Sequence, residues 1–265
     1  MARLLGLLLA GVLLAGCGSP AAPVAAPTTP ATAPAPPAAP AAHACYTMTM
    51  TQAVAPTSHA NATSCSSAHT TETFYVGQLD TYVDGHLLAV DSDRVSAQVA
   101  DTCRQRLGRF LGGTTAQTRL SMVRAVWFTP TVAESGQGAN WFRCDAVAVA
   151  DADSLSSLRS SLRGALKAPK RRAALAMCGT AAPGSAGFHR VQCGSPHTWR
   201  AIADVSIPGG RYPGRKVAKG AGKTRCADAA GAAASNPLSF QWSYEWPTAA
   251  DWSLDQHYGI CWFKG

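Results

Sequence analysis

Cysteine and histidine are the residues of this chain whose types and spacing point most directly to chemistry. The nine cysteines divide into Cys17, which follows an apolar N-terminal stretch, and two sets of four. In each set the second cysteine lies four residues before a histidine, His69 or His197. Thiolate and imidazole are good ligands for zinc and copper, so a metal site is one interpretation of these Cys-x-x-x-His pairs. The two sets are Cys45, Cys65, Cys103 and Cys144, and then Cys178, Cys193, Cys226 and Cys261.

The compartment of the protein decides whether these thiols are free. Residues 1–3 give a short positive start, and residues 4–14 form an apolar run. The run is shorter than the roughly 20 residues that a membrane span needs, and it is typical of a signal peptide. We therefore expect the mature chain outside the cytoplasm, where disulfides persist and thiolate ligands are lost. No cofactor or metal is expected on this interpretation.

The sequence Leu14-Ala15-Gly16-Cys17-Gly18 resembles the lipobox of bacterial lipoproteins. The resemblance implies that residues 1–17 are a lipoprotein signal peptide that ends at the lipobox. It also implies that Cys17 is diacylated on sulfur and becomes the new N-terminus after cleavage. The protein would then be anchored by lipid to the outer face of the cell membrane. Residues 18–43 are nearly all Ala, Pro and Thr, a composition that predicts a disordered, extended tether.

Four cysteines allow three pairings in each set, and the sequence alone does not choose among them. We favour Cys45 with Cys65 and Cys178 with Cys193, because these pairs close short loops. The remaining disulfides would then tie a helix to a hairpin, Cys103 to Cys144 and Cys226 to Cys261. The expected role of His69 and His197 is structural, bonding the backbone of the turn that carries them.

The surrounding residues predict an α+β fold made of two tandem disulfide-stapled repeats, residues 44–168 and 169–265. Each repeat is expected to be a small antiparallel or mixed sheet packed against one helix. In the first repeat, β-branched and aromatic residues predict a strand at 71–76, and two more strands at 124–129 and 141–149. Apolar residues at every fourth position predict a helix that ends at Gly112-Gly113: Val95, Val99, Cys103 and Leu107.

The second repeat carries the same element order with shorter connections. Alternation of apolar and polar residues predicts strands at 199–207 and 240–246, and residues 257–263 close a hairpin. An Ala-rich stretch over 224–234 predicts a short helix that carries Cys226. Between the repeats, a further helix is predicted with one apolar face: Leu155, Leu158, Leu162 and Leu166.

This order of motifs resembles the septum-formation domain of actinobacterial envelope proteins. The first repeat has a Cys-Ser-x-x-His turn at 65–69, with Glu72 after it, then Trp-x-x-Pro at 127–130 and Trp141 three residues before its last cysteine. The second repeat departs from the pattern, because Gly194 replaces the serine and Arg200 stands where an acidic residue is expected. The resemblance covers residues 45–265. It implies a non-catalytic, lipid-anchored envelope module linked to septum formation or cell-wall maintenance.

Charge is distributed unequally between the repeats. Residues 45–144 carry seven Arg against seven Asp plus Glu, whereas residues 145–265 carry fifteen Lys plus Arg against eight acids. The excess is concentrated in a segment with six cations and no acid, which predicts either a solvated loop or a mobile arm that binds an anionic partner. Its cations are Arg211, Arg215, Lys216, Lys219, Lys223 and Arg225. The partners expected are anionic cell-wall polymer, lipid headgroups or an envelope protein; export argues against nucleic acid.

Three functions follow from these observations. A binding or scaffold module, not an enzyme, agrees with the duplicated cysteine pattern, the tether and the basic segment. A metal-handling lipoprotein that uses the Cys-x-x-x-His pairs would need free thiols. An exported hydrolase is the least favoured, because the chain has no Gly-x-Ser-x-Gly motif. The sequence Gly220-Ala221-Gly222-Lys223-Thr224 lacks the first glycine of a phosphate-binding loop, where Val217 stands instead.

Overall fold

The computed structural model describes residues 35–236 and 238–265. The predicted signal peptide, Cys17 and most of the predicted tether lie outside the described residues. The described part is a mixed α/β fold built on two five-stranded sheets, and all their strand pairs are antiparallel. The coarse fold class expected from the sequence is therefore confirmed. No helix among the described residues is both long and apolar enough to cross a bilayer.

The first sheet comes from residues 44–168, which we call the first half. Its strands lie in the order β2, β1, β3, β7, β6, so the long strand β3 is central and pairs with β7 of the later hairpin. A two-stranded hairpin of β4 and β5 stands apart from it. The strands are β1 (Cys45–Tyr46), β2 (Ala62–Thr63), β3 (Thr71–Gln78), β4 (Tyr82–Val83), β5 (His86–Leu87), β6 (Val123–Phe128) and β7 (Trp141–Ala148).

The second sheet comes from residues 169–265, which we call the second half. Its strands lie in the order β9, β8, β10, β12, β11, which repeats the chain order of the first sheet strand for strand. Both central strands also bulge at the same register, between Thr73 and Tyr75 in β3 and between Ala201 and Ala203 in β10. The strands are β8 (Met177–Gly179), β9 (Arg190–Gln192), β10 (Trp199–Ser206), β11 (Trp242–Glu245) and β12 (Tyr258–Lys264).

Helix α2 (Asp93–Leu111) covers one face of the first sheet. Asp93 in its first turn suits the positive end of the helix dipole, and Gly112 ends it in the left-handed region at φ 70°. Its buried residues include the four that the sequence predicted at every fourth position. Helix α7 (Lys223–Ala233) occupies the matching place in the second half, where it buries Cys226 and Ala230.

One sequence expectation about helices is not confirmed and another is wrong. Each half holds several helices and not one: α1 (Met50–Ala53), α3 (Thr115–Arg119) and α4 (Val132–Gly136) accompany α2, while α5 (Pro169–Ala174), α6 (Arg215–Ala221) and α8 (Ala249–Ser253) accompany α7. The leucines at 155–166 do not line a helix, because that segment is irregular. Leu158 forms an isolated β-bridge with His69, and Leu162 and Leu166 are buried against α2 in the first core.

The two sheets belong to one compact unit that spans residues 35–265. Met122 of the first half packs in a shared apolar cluster with Met177 and Trp262 of the second half. Backbone hydrogen bonds cross the same junction, from Met122 N–H to the Leu175 carbonyl (2.7 Å) and from Met177 N–H to the Leu120 carbonyl (2.9 Å). The junction fixes the surfaces of α2, β6 and β12 that form a cleft described below.

Candidate functional site

The four disulfides join the cysteines favoured from the sequence. Each half has one bond that closes a short loop and one that ties its main helix to its last strand. Cys103 of α2 bonds Cys144 of β7, and Cys226 of α7 bonds Cys261 of β12. The loop-closing bonds are Cys45–Cys65 and Cys178–Cys193. The eight sulfurs are therefore unavailable as thiolates while the disulfides are intact.

The two turn histidines make the same local contact in different surroundings. Nδ1 of His69 lies 2.8 Å from the carbonyl oxygen of Ser67, and Nδ1 of His197 lies 2.8 Å from that of Ser195. His69 is buried and its backbone also pairs with Leu158, whereas His197 is exposed. This contact is the one that a structural role in the turn requires.

The second half brings three potential metal donors together. Donor atoms of Cys178, Cys193 and His197 lie within 4.8 Å of one another. The two sulfurs form a disulfide, which is a poor ligand compared with thiolate. The metal-handling alternative therefore requires reduction of the Cys178–Cys193 bond first.

Glu72 explains why an acid follows the Cys-Ser-x-x-His turn in the first half. Its buried carboxylate accepts hydrogen bonds from Ser161 Oγ and from the backbone N–H of Leu162, both at 2.6 Å. It thereby holds the segment after β7 against the start of β3. At the matching register of the second half, Arg200 opposite Cys178 is exposed. The motif residue thus organises the fold of the first half.

Strand β7 of the first sheet carries a buried ion pair. Arg143 Nε is 3.1 Å from Asp145 Oδ1, and both side chains are almost fully buried. The two side chains are close enough for an ion pair, but Arg143 Nε makes no hydrogen bond. Thr73 Oγ1 donates to Asp145 at 2.7 Å, and the guanidinium lies over the rings of Tyr46 and Phe128. Burial raises the pKa of Asp145 to about 6, against the opposing pull of Arg143.

The basic segment is folded, so the expectation of a loop or mobile arm is wrong. Residues 215–221 form α6, and Lys223 begins α7. Ala218 of α6 is buried beside Ile207 and Trp252, which docks the helix onto the second half. All six cations of the segment are exposed, and we call this surface the basic patch: Arg211, Arg215, Lys216, Lys219, Lys223 and Arg225.

The contacts that cations of the basic patch make are with an aromatic ring and a backbone carbonyl, which do not neutralise their charge. Lys219 Nζ lies 5.2 Å from the ring centre of Trp246, and Arg225 Nε donates to the carbonyl oxygen of Asp204 at 2.9 Å. Within the part of the chain that the structure describes, none of the six cations pairs with a carboxylate. An array of exposed cations attracts anionic polymers or surfaces by long-range electrostatics.

A second candidate site is an open cleft of about 700 Å³ at the junction of the halves. Helices α2 and α3 and strand β6 of the first half form one wall, and α8 and the start of β12 form the other. Four arginines and two aspartates line it, together with the partly buried aromatic rings of Trp127 and Tyr258. The arginines are Arg104, Arg109, Arg119 and Arg124.

The cleft arginines differ in how they are compensated. Arg104 pairs with Asp101, and Arg119 pairs with Asp204 at 2.7 Å while it stacks on the Tyr258 ring. Arg124 has no carboxylate partner among the described residues. Burial lowers the pKa of Arg124, Tyr258 opposes that effect, and Arg190 adds to it. The sequence pattern predicted no role for Arg124, although it is an arginine inside the otherwise apolar strand Val123–Phe128.

The described part of the chain is an α/β domain with antiparallel sheets and four disulfides. Such disulfide-rich domains are typical of extracytoplasmic proteins. A family model described as septum formation matches residues 42–258, which is most of the chain, so the protein belongs to the septum-formation family. The resemblance seen in the sequence is confirmed. No curated protein and no solved structure matches the chain. Family and disulfides together indicate an extracytoplasmic protein with a role in cell division or the cell envelope.

Proposed function

We propose that this protein is a lipid-anchored, non-catalytic binding module of the cell envelope that acts in septum formation. The family match over residues 42–258 is the observation that carries this proposal. Anchoring through a diacylated Cys17 is supported by the lipobox sequence, and an extended tether over 18–43 would separate the folded part from the membrane. The two halves are proposed to be tandem copies of one module, since their strand order, bulge and disulfides correspond.

The proposed binding surface is the basic patch, and its proposed partner is an anionic wall polymer. The patch combines exposed cations with a helix that Ala218 docks onto the second half, so the backbone that carries Arg215, Lys216 and Lys219 is held in place. Val217, about half exposed, is its single large apolar group on α6, which favours surface electrostatics over insertion among lipid tails. Lipid headgroups are the competing partner, and the experiment below separates the two.

Co-sedimentation of the detergent-purified full chain with purified cell wall tests this proposal. The patch variant is Arg215→Ala/Lys216→Ala/Lys219→Ala/Lys223→Ala. Its matched control removes four exposed cations from elsewhere: Arg94→Ala/Arg159→Ala/Lys170→Ala/Lys264→Ala. Since a surface cation near an anionic surface contributes about 1 kcal/mol, the patch variant should bind at least about tenfold more weakly than the control.

Wild-type binding to the wall should also weaken as salt rises, because the contact is electrostatic. Equal binding by the patch variant and the control, or binding that salt does not change, would remove the patch from the proposal. Binding to anionic lipid vesicles but not to wall would replace the wall polymer by lipid headgroups as the partner.

A further inference from the structure

The junction cleft has the size and lining of a ligand site. Its volume of about 700 Å³ falls within the roughly 300 to 1,000 Å³ that is common for small-molecule sites. Such sites combine apolar or aromatic walls with a few fixed polar groups. Here Trp127 and Tyr258 supply the rings, each with one arginine guanidinium over it, Arg104 and Arg119 respectively. Gln105 and Thr115 supply polar groups on the same walls.

The positive charge of the cleft lies on one wall. Arg104 and Arg119 are paired with carboxylates outside the lining, which leaves Arg109 and Arg124 on one wall and Asp251 and Asp255 on the other. The Asp251 carboxylate accepts hydrogen bonds from Thr248 N–H (2.8 Å) and Thr248 Oγ1 (2.7 Å). Asp255 is exposed just after α8, and its Oδ1 lies 3.9 Å from Nε2 of His257. The wall formed by α2, α3 and β6 therefore carries two arginines without a carboxylate partner among the described residues, Arg109 and Arg124, and the two aspartates lie on the opposite wall.

Arg124 is the strongest single indication. One terminal nitrogen, Nη1, donates to the carbonyl oxygens of Ser121 and Val123, both at 2.8 Å, which fixes the guanidinium in place. The side chain is partly buried at the junction and has no carboxylate partner in the described ranges 35–236 and 238–265. A desolvated cation without a counter-charge is unfavourable, and a bound oxyanion would relieve that cost. Guanidinium binds carboxylate and phosphate groups through two parallel hydrogen bonds.

We propose that this cleft binds an anionic saccharide, with its phosphate or carboxylate group on Arg124 and Arg109 and its sugar ring against Trp127. The inference goes beyond the basic patch, because the cleft lies between the halves and shares no residue with α6 or α7. A discrete site would give the envelope module selectivity for one chemical unit, which an open array of cations does not provide.

Saturation-transfer NMR with defined sugars tests the inference on the full chain in detergent. The probes are a galacturonate trimer for carboxylate, glucose 6-phosphate for phosphate, maltotriose as the neutral control, and inorganic phosphate alone. We expect one or both anionic sugars to bind, and maltotriose and inorganic phosphate to bind far more weakly. Inorganic phosphate that bound as tightly as glucose 6-phosphate would overturn the sugar contact.

Variants locate the site. Arg124→Gln should weaken binding of the anionic sugar at least about tenfold, as expected for loss of a charge-assisted bidentate contact. Arg94→Gln is the matched control, since Arg94 lies on the same helix α2 but outside the cleft, and it should bind as wild type does. Unchanged binding by a folded Arg124→Gln variant would overturn the assignment. Should that variant fail to fold, the exposed Arg109→Gln decides, and its unchanged binding would overturn the assignment equally.

These measurements test the proposal for the cleft and the proposal for the basic patch independently. The four-residue patch variant should keep full affinity for the anionic sugar while it loses the wall. Sugar binding that persists without any wall binding would leave the cleft in place and remove the proposed function. Wall binding with no sugar binding would overturn the assignment of the cleft and leave the proposed function in place.

Discussion

The two halves of the protein differ in the side chains that they bury on either side of their last cysteine: charged in the first half and apolar in the second. In the first half, Arg143 and Asp145 flank Cys144 and form a buried ion pair. In the second half, Ile260 and Trp262 flank Cys261 and lie in an apolar cluster. The strands around them match in order and register, including the bulge. The same framework therefore accepts either a charged or an apolar interior on that face.

This difference distinguishes the stability that comes from the shared disulfides and strands from the stability that comes from the flanking side chains. Helix-to-strand disulfides at equivalent places hold both halves together, whichever residues flank the cysteine. Burial of Ile260 and Trp262 gains hydrophobic free energy, while burial of Arg143 and Asp145 carries a desolvation cost that their attraction must offset. The first half should accordingly depend on the completeness of its ion pair, and the second half should not.

Removing one partner of the pair should have the largest effect. Arg143→Met leaves Asp145 buried without its cation, and we expect the free energy of unfolding to fall by about 3 kcal/mol. The double variant Arg143→Met/Asp145→Leu makes this site apolar like the second half, and it should return to within about 1 kcal/mol of wild type. Urea unfolding at neutral pH measures both. A double variant as unstable as the single one would show that the halves are not interchangeable at this position.

The same pair should make stability depend on pH. Burial raises the pKa of Asp145 to about 6, above its ordinary value of 3.8 in the unfolded chain. The folded state then holds the proton more tightly, so this group stabilises the fold fully below about pH 4 and loses that contribution as pH rises through 6. The loss is expected to reach about 3 kcal/mol.

Asp145→Asn serves as the reference for this pH dependence, because it cannot titrate. The free energy of unfolding of wild type minus that of the variant should fall between about pH 4 and pH 7. A difference that stays constant or rises over this range would contradict the direction of the pKa shift. The second half offers no equivalent, since Trp262 stands at the matching position.

The turn histidines give the smallest predicted contrast. His69→Ala removes a buried side chain and its bond to the Ser67 carbonyl, and it should cost about 2 kcal/mol of unfolding free energy. His197→Ala removes an exposed side chain with the same local bond, and stability should stay within experimental error. Thermal unfolding of the two variants side by side measures this. Equal losses would mean that the turn bond, and not burial, sets the cost.

Local patterns predicted the elements of this fold well, because their causes are local. Alternation placed β10 and β11, and the every-fourth spacing before Gly112 placed α2. The disulfides followed from the same reasoning, since short loops and helix-to-hairpin ties left one favoured pairing. Leucine spacing over 155–166 misled, because those leucines are buried by tertiary partners such as α2 without forming a helix.

Both candidate sites depended on tertiary structure that spacing does not reveal. The run of cations without an acid in the basic segment predicted a solvated loop or a mobile arm, yet residues 215–221 form a helix whose Ala218 packs with Trp252. The cleft joins α2 and β6 to a wall from α8 and β12 that lies more than 100 positions later in the chain. Arg124 was readable as a charge in an apolar strand, but its lack of a carboxylate partner in the described residues became evident only from the packed halves.

Hydrogen exchange of the full chain, with and without purified cell wall, tests most directly whether the second half carries the binding surface. Binding through the basic patch should slow amide exchange in α6 and at the start of α7. The exposed hairpin of β4 and β5 in the first half serves as the internal reference and should exchange at the same rate in both samples. Protection confined to the first half, or no change anywhere in the presence of wall, would contradict the assignment of binding to the second half.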